Sequence, residues 1–326
     1  DSVKSVNCLY TDEAGRLWIG TNDNGLSIWI DQKISNVVDR QNGLPSNSVR
    51  CIAESSEGDY YVGTTDSMVV MSLSRGLQVC ETLHEIVYAD CVCTDADANA
   101  AVVTNEGELY LIHGTKVTGH RTLKTEGAAY NCCAFDEEGR LYVGTTSGQI
   151  EIYEVSEQQL HKTDEVSCGN LVGINSINFV EEENIFICAE NGIGYFNREK
   201  DFRILDCGKY NSSIERMLVD YQGNLWFTSS RLGLLRLCPS VFTELYGRAN
   251  LSEQVVNAVT EWKGCLYFGT DSGLDVLDAE TGKKKSEALS KKLAGVRIRC
   301  FLTDSEDALW ICTSDSGIWR VSEKGK

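Results

Sequence analysis

LWIGTNDNGL, residues Leu17–Leu26, decides the reading of this chain because it returns seven more times. The copies that follow are YYVGTTDS (Tyr60–Ser67), AAVVTNEGEL (Ala100–Leu109), LYVGTTSGQI (Leu141–Ile150), IFICAENGI (Ile185–Ile193), LWFTSSRLGLL (Leu225–Leu235), LYFGTDSGL (Leu266–Leu274) and LWICTSDSGI (Leu309–Ile318). Aligned on Trp18, they place Tyr61, Ala101, Tyr142, Phe186, Trp226, Tyr267 and Trp310 at one position, 40 to 44 residues apart. A fixed period of that length is the mark of a repeat architecture.

Each unit opens on a short apolar and polar run such as Val6-Asn7-Cys8-Leu9, then makes an acidic turn with glycine, Asp12-Glu13-Ala14-Gly15. The aromatic run Leu17–Gly20, the polar turn Thr21–Gly25 and a third apolar run, Leu26–Ile30, follow, and a more variable segment closes the unit. Short β-prone runs bounded by Gly, Asn, Asp and Ser read as strands joined by hairpins. Four antiparallel strands in about 40 residues make a propeller blade. A helical repeat is excluded, because no long stripe of period 3.6 is present. No unit is large enough to enclose a core of its own, so the anchor aromatics are expected to pack between neighbouring sheets.

The expected fold is therefore all-β, a propeller of eight blades with mostly four antiparallel strands each; seven blades with one odd repeat is the alternative. One domain spans residues 1–326, with repeats at approximately 1–46, 47–88, 89–128, 129–172, 173–212, 213–253, 254–295 and 296–326. The last repeat stops before a fourth strand. Either the ring closes without exchanging a full strand, or the chain is a piece of a longer array.

The chain carries 48 acidic and 30 basic residues, a net charge of −18. That balance argues against nucleic acid or an anionic membrane surface as the main partner. The basic run Lys283-Lys284-Lys285 with Lys291-Lys292 falls in a fourth-strand loop and reads as a solvated edge. No hydrophobic stretch is long enough for a transmembrane helix, and no signal peptide is recognisable.

Of fourteen cysteines, Cys8, Cys51, Cys91, Cys132 and Cys300 share a place ten residues before the anchor, held elsewhere by Ser176, Arg216 and Asn257. A small residue packing on the innermost strand explains this position better than a metal cluster or disulfides. In a closed ring these five cysteines would form one arc. His84, His113, His120 and His161 fit no metal-ligand spacing, and no cofactor is implied. Metalloprotease, α/β-hydrolase, P-loop and dinucleotide motifs are absent. The acidic turns recur with the repeat, so turn chemistry accounts for them better than calcium or a glycosidase carboxylate pair.

Two sets of residues are candidates for ligand contact. Near the start of the first strands stand Asn7, Arg50, Asp90, Asn131, Asn175, Glu215, Val256 and Arg299, seven of eight polar. The turns between second and third strands carry Asn22, Asp23, Asn24, Asp66, Asn105, Glu106, Arg231, Asp271 and Asp315. Both sets belong at the same end of a propeller, where they would form a polar dish suited to an oligosaccharide or small polar ligand. Solvated turns are the competing reading. Arg50 and Arg299 would flank Asn7 and hold a carboxylate or sulfate group.

Val6–Trp29 (VNCLYTDEAGRLWIGTNDNGLSIW), followed by NGLPSNSV at Asn42–Val49, resembles the two-component regulator propeller repeat. The resemblance runs through the whole chain and is strongest in the first, sixth and eighth units; units three and five depart at the glycine-threonine positions. It implies an extracytoplasmic, non-catalytic sensor domain of a membrane-anchored bacterial receptor. It also implies a carbohydrate ligand, a kinase or cyclase output module and a homodimer. Cysteine usage by itself leaves the cytoplasm open. A protein-interaction scaffold is the second reading, and a propeller polysaccharide hydrolase or lyase the third.

Overall fold

The computed structural model describes residues 4–31, 33–73, 77–180, 184–196, 201–238, 245, 249–286 and 288–322. In the first repeat β1 (Val6–Thr11), β2 (Leu17–Thr21), β3 (Leu26–Ile30) and β4 (Lys33–Val38) pair antiparallel in chain order. The turn after β1 forms because the Asp12 carboxylate accepts the backbone N–H of Arg16 at 2.8 Å, and Gly15 takes a positive φ of 75° that favours glycine. The turn after β2 is closed by Thr21, whose hydroxyl donates to the Gly25 carbonyl at 2.9 Å.

Among the described residues the same order builds eight sheets, at residues 6–38, 49–83, 89–122, 130–167, 174–205, 214–237, 256–278 and 298–321. Sheets one to five have four strands; sheets six to eight have three. The stretch after sheet six lies mostly outside the described residues. After sheet seven, the expected fourth strand is replaced by an isolated bridge, Leu277 to Lys284, and a short helix, α1 (Ala288–Lys292).

The chain divides into two compact units, Asp1–Pro239 with sheets one to six and Ser240–Lys326 with sheets seven and eight. Within the first unit, the first strands of successive sheets lie side by side and apolar side chains fill each gap. Trp18 of sheet one stacks on Tyr60 of sheet two with ring centroids 4.1 Å apart, and both are fully buried. Burying one such side chain stabilises by roughly 1.5–3 kcal/mol. The second unit repeats this between its two sheets, with Tyr267, Leu274 and Val276 against Ile298, Leu309 and Ile311.

The glycine of the repeated Gly-Thr pair now has a physical cause. A Cβ on Gly63 would meet Cys51 Sγ at 2.5 Å and Ala89 Cβ at 2.8 Å; one on Gly144 would meet Ile174 Cγ2 at 2.6 Å and Cys132 Sγ at 2.8 Å. The missing side chain therefore makes room for the cysteine on the paired strand and for the first strand of the next sheet. Cys51, Cys91 and Cys132 are buried as the packing reading expects, and Cys8 is half-buried. Cys300, on the last sheet of its unit, is exposed.

Every first strand carries a register shift directly after its first residue. In sheet seven the shift lies between Val256 and Ala258. The residue equivalent to Asn7 is therefore Asn257 rather than Val256, and the cysteine position there holds Ala258. The alignment slips because Trp262 pairs with Cys265 across a two-residue turn, shorter than the turn of the first repeat.

Candidate functional site

The turns between second and third strands do share one end with the starts of the first strands. Backbone bonds tie them together: Asn22 donates to the Ser5 carbonyl at 2.8 Å, Thr146 to Ala129 at 2.9 Å and Ser314 to Arg297 at 2.9 Å. With Asn257 in place of Val256, all eight positions at the register shift are polar.

These side chains are largely occupied in joining sheets. Asn7 Nδ2 donates to the Val49 carbonyl of sheet two at 3.1 Å. Asn131 donates to the Ile174 carbonyl at 2.8 Å and to Asn175 Oδ1 at 3.1 Å. Asn175 in turn donates to the Ile214 carbonyl and to Glu190, both at 3.0 Å. Arg50 reaches Asp90 of sheet three at 3.0 Å and lies over the Tyr88 ring, 5.2 Å from its centroid. Asp90 neutralises Arg50, so it is not the open anion clamp expected from sequence. Glu215 accepts from Ser230 at 2.8 Å, and Arg299, in the second unit, donates to Ser314 at 2.9 Å.

The turn residues are more open. Asn22 donates to Asp23 at 3.1 Å and accepts from Ser48 at 3.2 Å. Asp271 is bound by Asn257 and Arg297, each at 2.8 Å. Asp66, Asn105, Arg231 and Asp315 are exposed. The expected residues thus form local clusters: Asn131 with Asn175, Arg50 with Asp90, and Asn22 with Asp23.

The acidic turns lie at the opposite end and are structural. Asp12, Asp220 and Asp304 each accept the indole N–H of Trp18, Trp226 or Trp310 at 2.7–2.8 Å. Burial opposes ionisation of Asp12, but the bonds from Trp18 and Arg16 outweigh it and hold its carboxyl below the ordinary range. Bonds from Trp310 and the Ala308 backbone bring Asp304 down to about 2. Glu151 is buried, yet Lys162, Tyr153 and Tyr130 lower it too. Among the described residues, every carboxylate displaced from its usual titration is displaced downward. A glycosidase general acid needs the opposite displacement. No group of three or more His, Cys, Asp or Glu among the described residues is arranged to hold a metal ion. No helix among them is long and apolar enough to cross a membrane.

The polar end of sheet seven holds a cavity of about 550 Å³. None of the candidate residues expected from sequence lines it; Lys284, Lys285 and Lys291 do. All five lysines of the basic run are exposed, as the solvated-edge reading expects, and three of them border this cavity. Its signal was the departure of residues 279–294 from the four-strand pattern.

Comparison with known proteins gives the chain its context. The two component regulator propeller family matches residues 2–23 and 43–66, in sheets one and two. No curated protein matches the sequence. The fold is similar to the extracellular domain of a hybrid two component system from B. thetaiotaomicron, with 22% identity and a TM-score of 0.65. That alignment takes in all of this chain and 47% of the other, so the chain spans about half the length of that structure. The virginiamycin B lyase of Staphylococcus aureus is also similar, at 12% identity and a TM-score of 0.54 over 97% of this chain and 94% of that one. The computationally designed protein Ika8 stands at the same identity and score, over 97% and 96%. At these identities the likeness concerns the fold alone. Repeat pattern and family match agree in the first two sheets: residues 2–23 and 43–66 match the two component regulator propeller family, and the same strand order recurs in the other described sheets.

Proposed function

We propose that this chain is the extracytoplasmic sensor portion of a membrane-anchored bacterial receptor and binds a carbohydrate or other small polar ligand at the polar end of its sheets. The match of its first two sheets to the two component regulator propeller family carries this reading. In such a receptor the ligand biases a dimer toward one of two states, and a kinase or cyclase module reads the bias. The ligand must bind the two states with different affinity for this to work.

The sensor is non-catalytic in this reading. The downward displacement of Asp12 and Glu151 supports it, because both are ionised acceptors already surrounded by donors. Presenting the chain to a panel of neutral and acidic oligosaccharides tests both halves. Retention of a subset without shortened products is expected; chain shortening would move the protein to the hydrolases or lyases, and binding of proteins alone would make it a scaffold.

The eight sheets are, in the same reading, the blades of one closed propeller. The recurrence of one antiparallel strand order in all eight sheets of the described residues supports this. Small-angle X-ray scattering of the chain in solution tests it: a compact, ring-like profile is expected, and an extended one would leave the ring open.

A further inference from the structure

We propose that Cys93 and Cys133 are a peroxide-oxidised pair whose disulfide ties sheet three to sheet four. The inference goes beyond the sensor reading, because it assigns a covalent modification site that would hold for a scaffold as well. Three observations carry it. The first is distance. Cys93 Sγ lies 3.5 Å from Cys133 Sγ, across the gap between the two sheets. A disulfide spans about 2.05 Å, so the two sulfurs have about 1.5 Å to close between them.

The second is a break in the repeat. In the seven other sheets the place of Cys133 holds a large apolar side chain, from Leu9 and Ile52 to Met217 and Phe301. Cys93 is the one cysteine that pairs with an anchor, and its anchor, Ala101, is the one of eight that is not aromatic. These exceptions meet in one place: Cys133 Sγ lies 3.5 Å from the Ala101 carbonyl as well as from Cys93 Sγ. Elsewhere the position is filled with bulk; here it holds sulfurs in contact.

The third is access. Cys91, a third thiol 3.7 Å from Cys133, is buried, as Cys133 is, whereas Cys93 is half-buried. An oxidant therefore reaches Cys93 first. Burial also raises the Cys93 thiol above its ordinary value, so the reaction should quicken as pH rises. The Cys93 sulfur attacks one oxygen of hydrogen peroxide, the O–O bond breaks, the departing hydroxide leaves with the thiol proton as water, and a sulfenic acid stands on Cys93. The Cys133 sulfur then attacks the Cys93 sulfur, the S–O bond breaks, and the second hydroxide leaves with the Cys133 proton as water. Two thiols lose two electrons, and one peroxide becomes two waters.

Treating the reduced whole chain with hydrogen peroxide, raised until the exposed Cys80 reacts, tests the site. Free thiols are blocked in denaturant with a light maleimide, the protein is reduced, and the released thiols take an isotopically heavy one. Tandem mass spectrometry then reads each cysteine. Cys93 and Cys133 should carry the heavy label together, with Cys91 and Cys132 light, and Cys91→Ser should leave the heavy pair in place. In Cys133→Ser, dimedone should trap the sulfenic acid on Cys93. Circular dichroism checks that both variants fold; the labels of the parent chain decide the pairing without them. The oxidised parent should unfold a few degrees above the reduced one. Light labels on Cys93 and Cys133, a heavy pair of Cys91 with Cys133, no dimedone adduct on Cys93 in a folded Cys133→Ser chain, or a lower unfolding temperature after oxidation would each overturn the inference.

Discussion

Replacing Gly144 by alanine tests whether the repeated glycine is set by packing between sheets. Backbone entropy alone predicts a gain, since glycine inside a strand is disfavoured by roughly 0.5–1 kcal/mol against alanine. Packing predicts a loss. The new Cβ would stand 2.6 Å from Ile174 Cγ2, 2.8 Å from Cys132 Sγ and 2.9 Å from Ile174 Cβ. Carbon atoms prefer about 3.5–4.0 Å, so the neighbours must retreat by about 1 Å. Neither has room, because Ile174 and Cys132 are both buried between sheets four and five. Overpacking of this kind costs about 1–3 kcal/mol, so a net loss of up to about 2.5 kcal/mol is expected after the entropic gain. Urea unfolding followed by tryptophan fluorescence would measure it. Ile174→Ala should cost about 2–5 kcal/mol alone, and the double variant less than the sum by at least about 0.5 kcal/mol, because the missing isoleucine relieves the alanine. A stabilised Gly144→Ala variant, or strict additivity, would show that the glycine is not there for the next sheet.

The tryptophan-bonded turns predict acid sensitivity. Asp12 and Asp304 are held below the ordinary aspartate value of 3.8, so their stabilisation is complete above that value and is lost as pH falls through the folded values, near 2 for Asp304. Stability of Asp304→Asn should vary less with pH between about 4 and 2 than that of the parent; an unchanged slope would remove the turn as its source. Burial pushes the Cys168 thiol up to about 12 and Cys8 up to about 11, while Cys80 and Cys238 are exposed. Maleimide labelling read by mass spectrometry should mark Cys80, Cys238 and the equally exposed Cys300 first and reach Cys51, Cys132 and Cys168 only on unfolding. Asn175→Ala strips a hydrogen bond from the Ile214 carbonyl and should cost about 1–2 kcal/mol by thermal unfolding, whereas Arg231→Ala should stay within about 0.5 kcal/mol.

The aromatic anchors and their hairpins could be read from the chain because β-structure writes a short-range signal. Leu17–Gly20, Thr21 and Gly25 each act through neighbours a few residues away or through the copy in the next sheet. Two things escaped. Asn257 hid behind Val256 because the spacing was counted from Tyr267, and Lys263-Gly264 shortens the hairpin between them. Both residues have positive φ, 50° and 68°, and Trp-Lys-Gly-Cys is the pattern of a two-residue turn that would have exposed the slip. The cavity on sheet seven escaped for another reason. Residues 279–294 carry no repeat, so nothing in the chain says that Lys284 turns to Asp275, or that the Ser290 hydroxyl is enclosed.

That contrast bears on where recognition resides. The polar residues at the register shifts looked most like a ligand site in sequence, yet at three of them the shift explains the side chain without a ligand. Each shift takes one residue out of the ladder and leaves backbone groups in need of partners. Asn7, Asn131 and Asn175 supply them to Val49, Ile174 and Ile214 on the following sheet. In these three sheets the position answers a demand of the backbone, and in the others it is held by a side-chain partner, Arg50 by Asp90, Glu215 by Ser230, Asn257 by Asp271 and Arg299 by Ser314. Ligand specificity has no such periodic cause and belongs where the pattern breaks. By that reasoning Asn131 and Asn175 are joints between sheets before they are ligand contacts. Substitutions at these asparagines should lower stability with little effect on affinity.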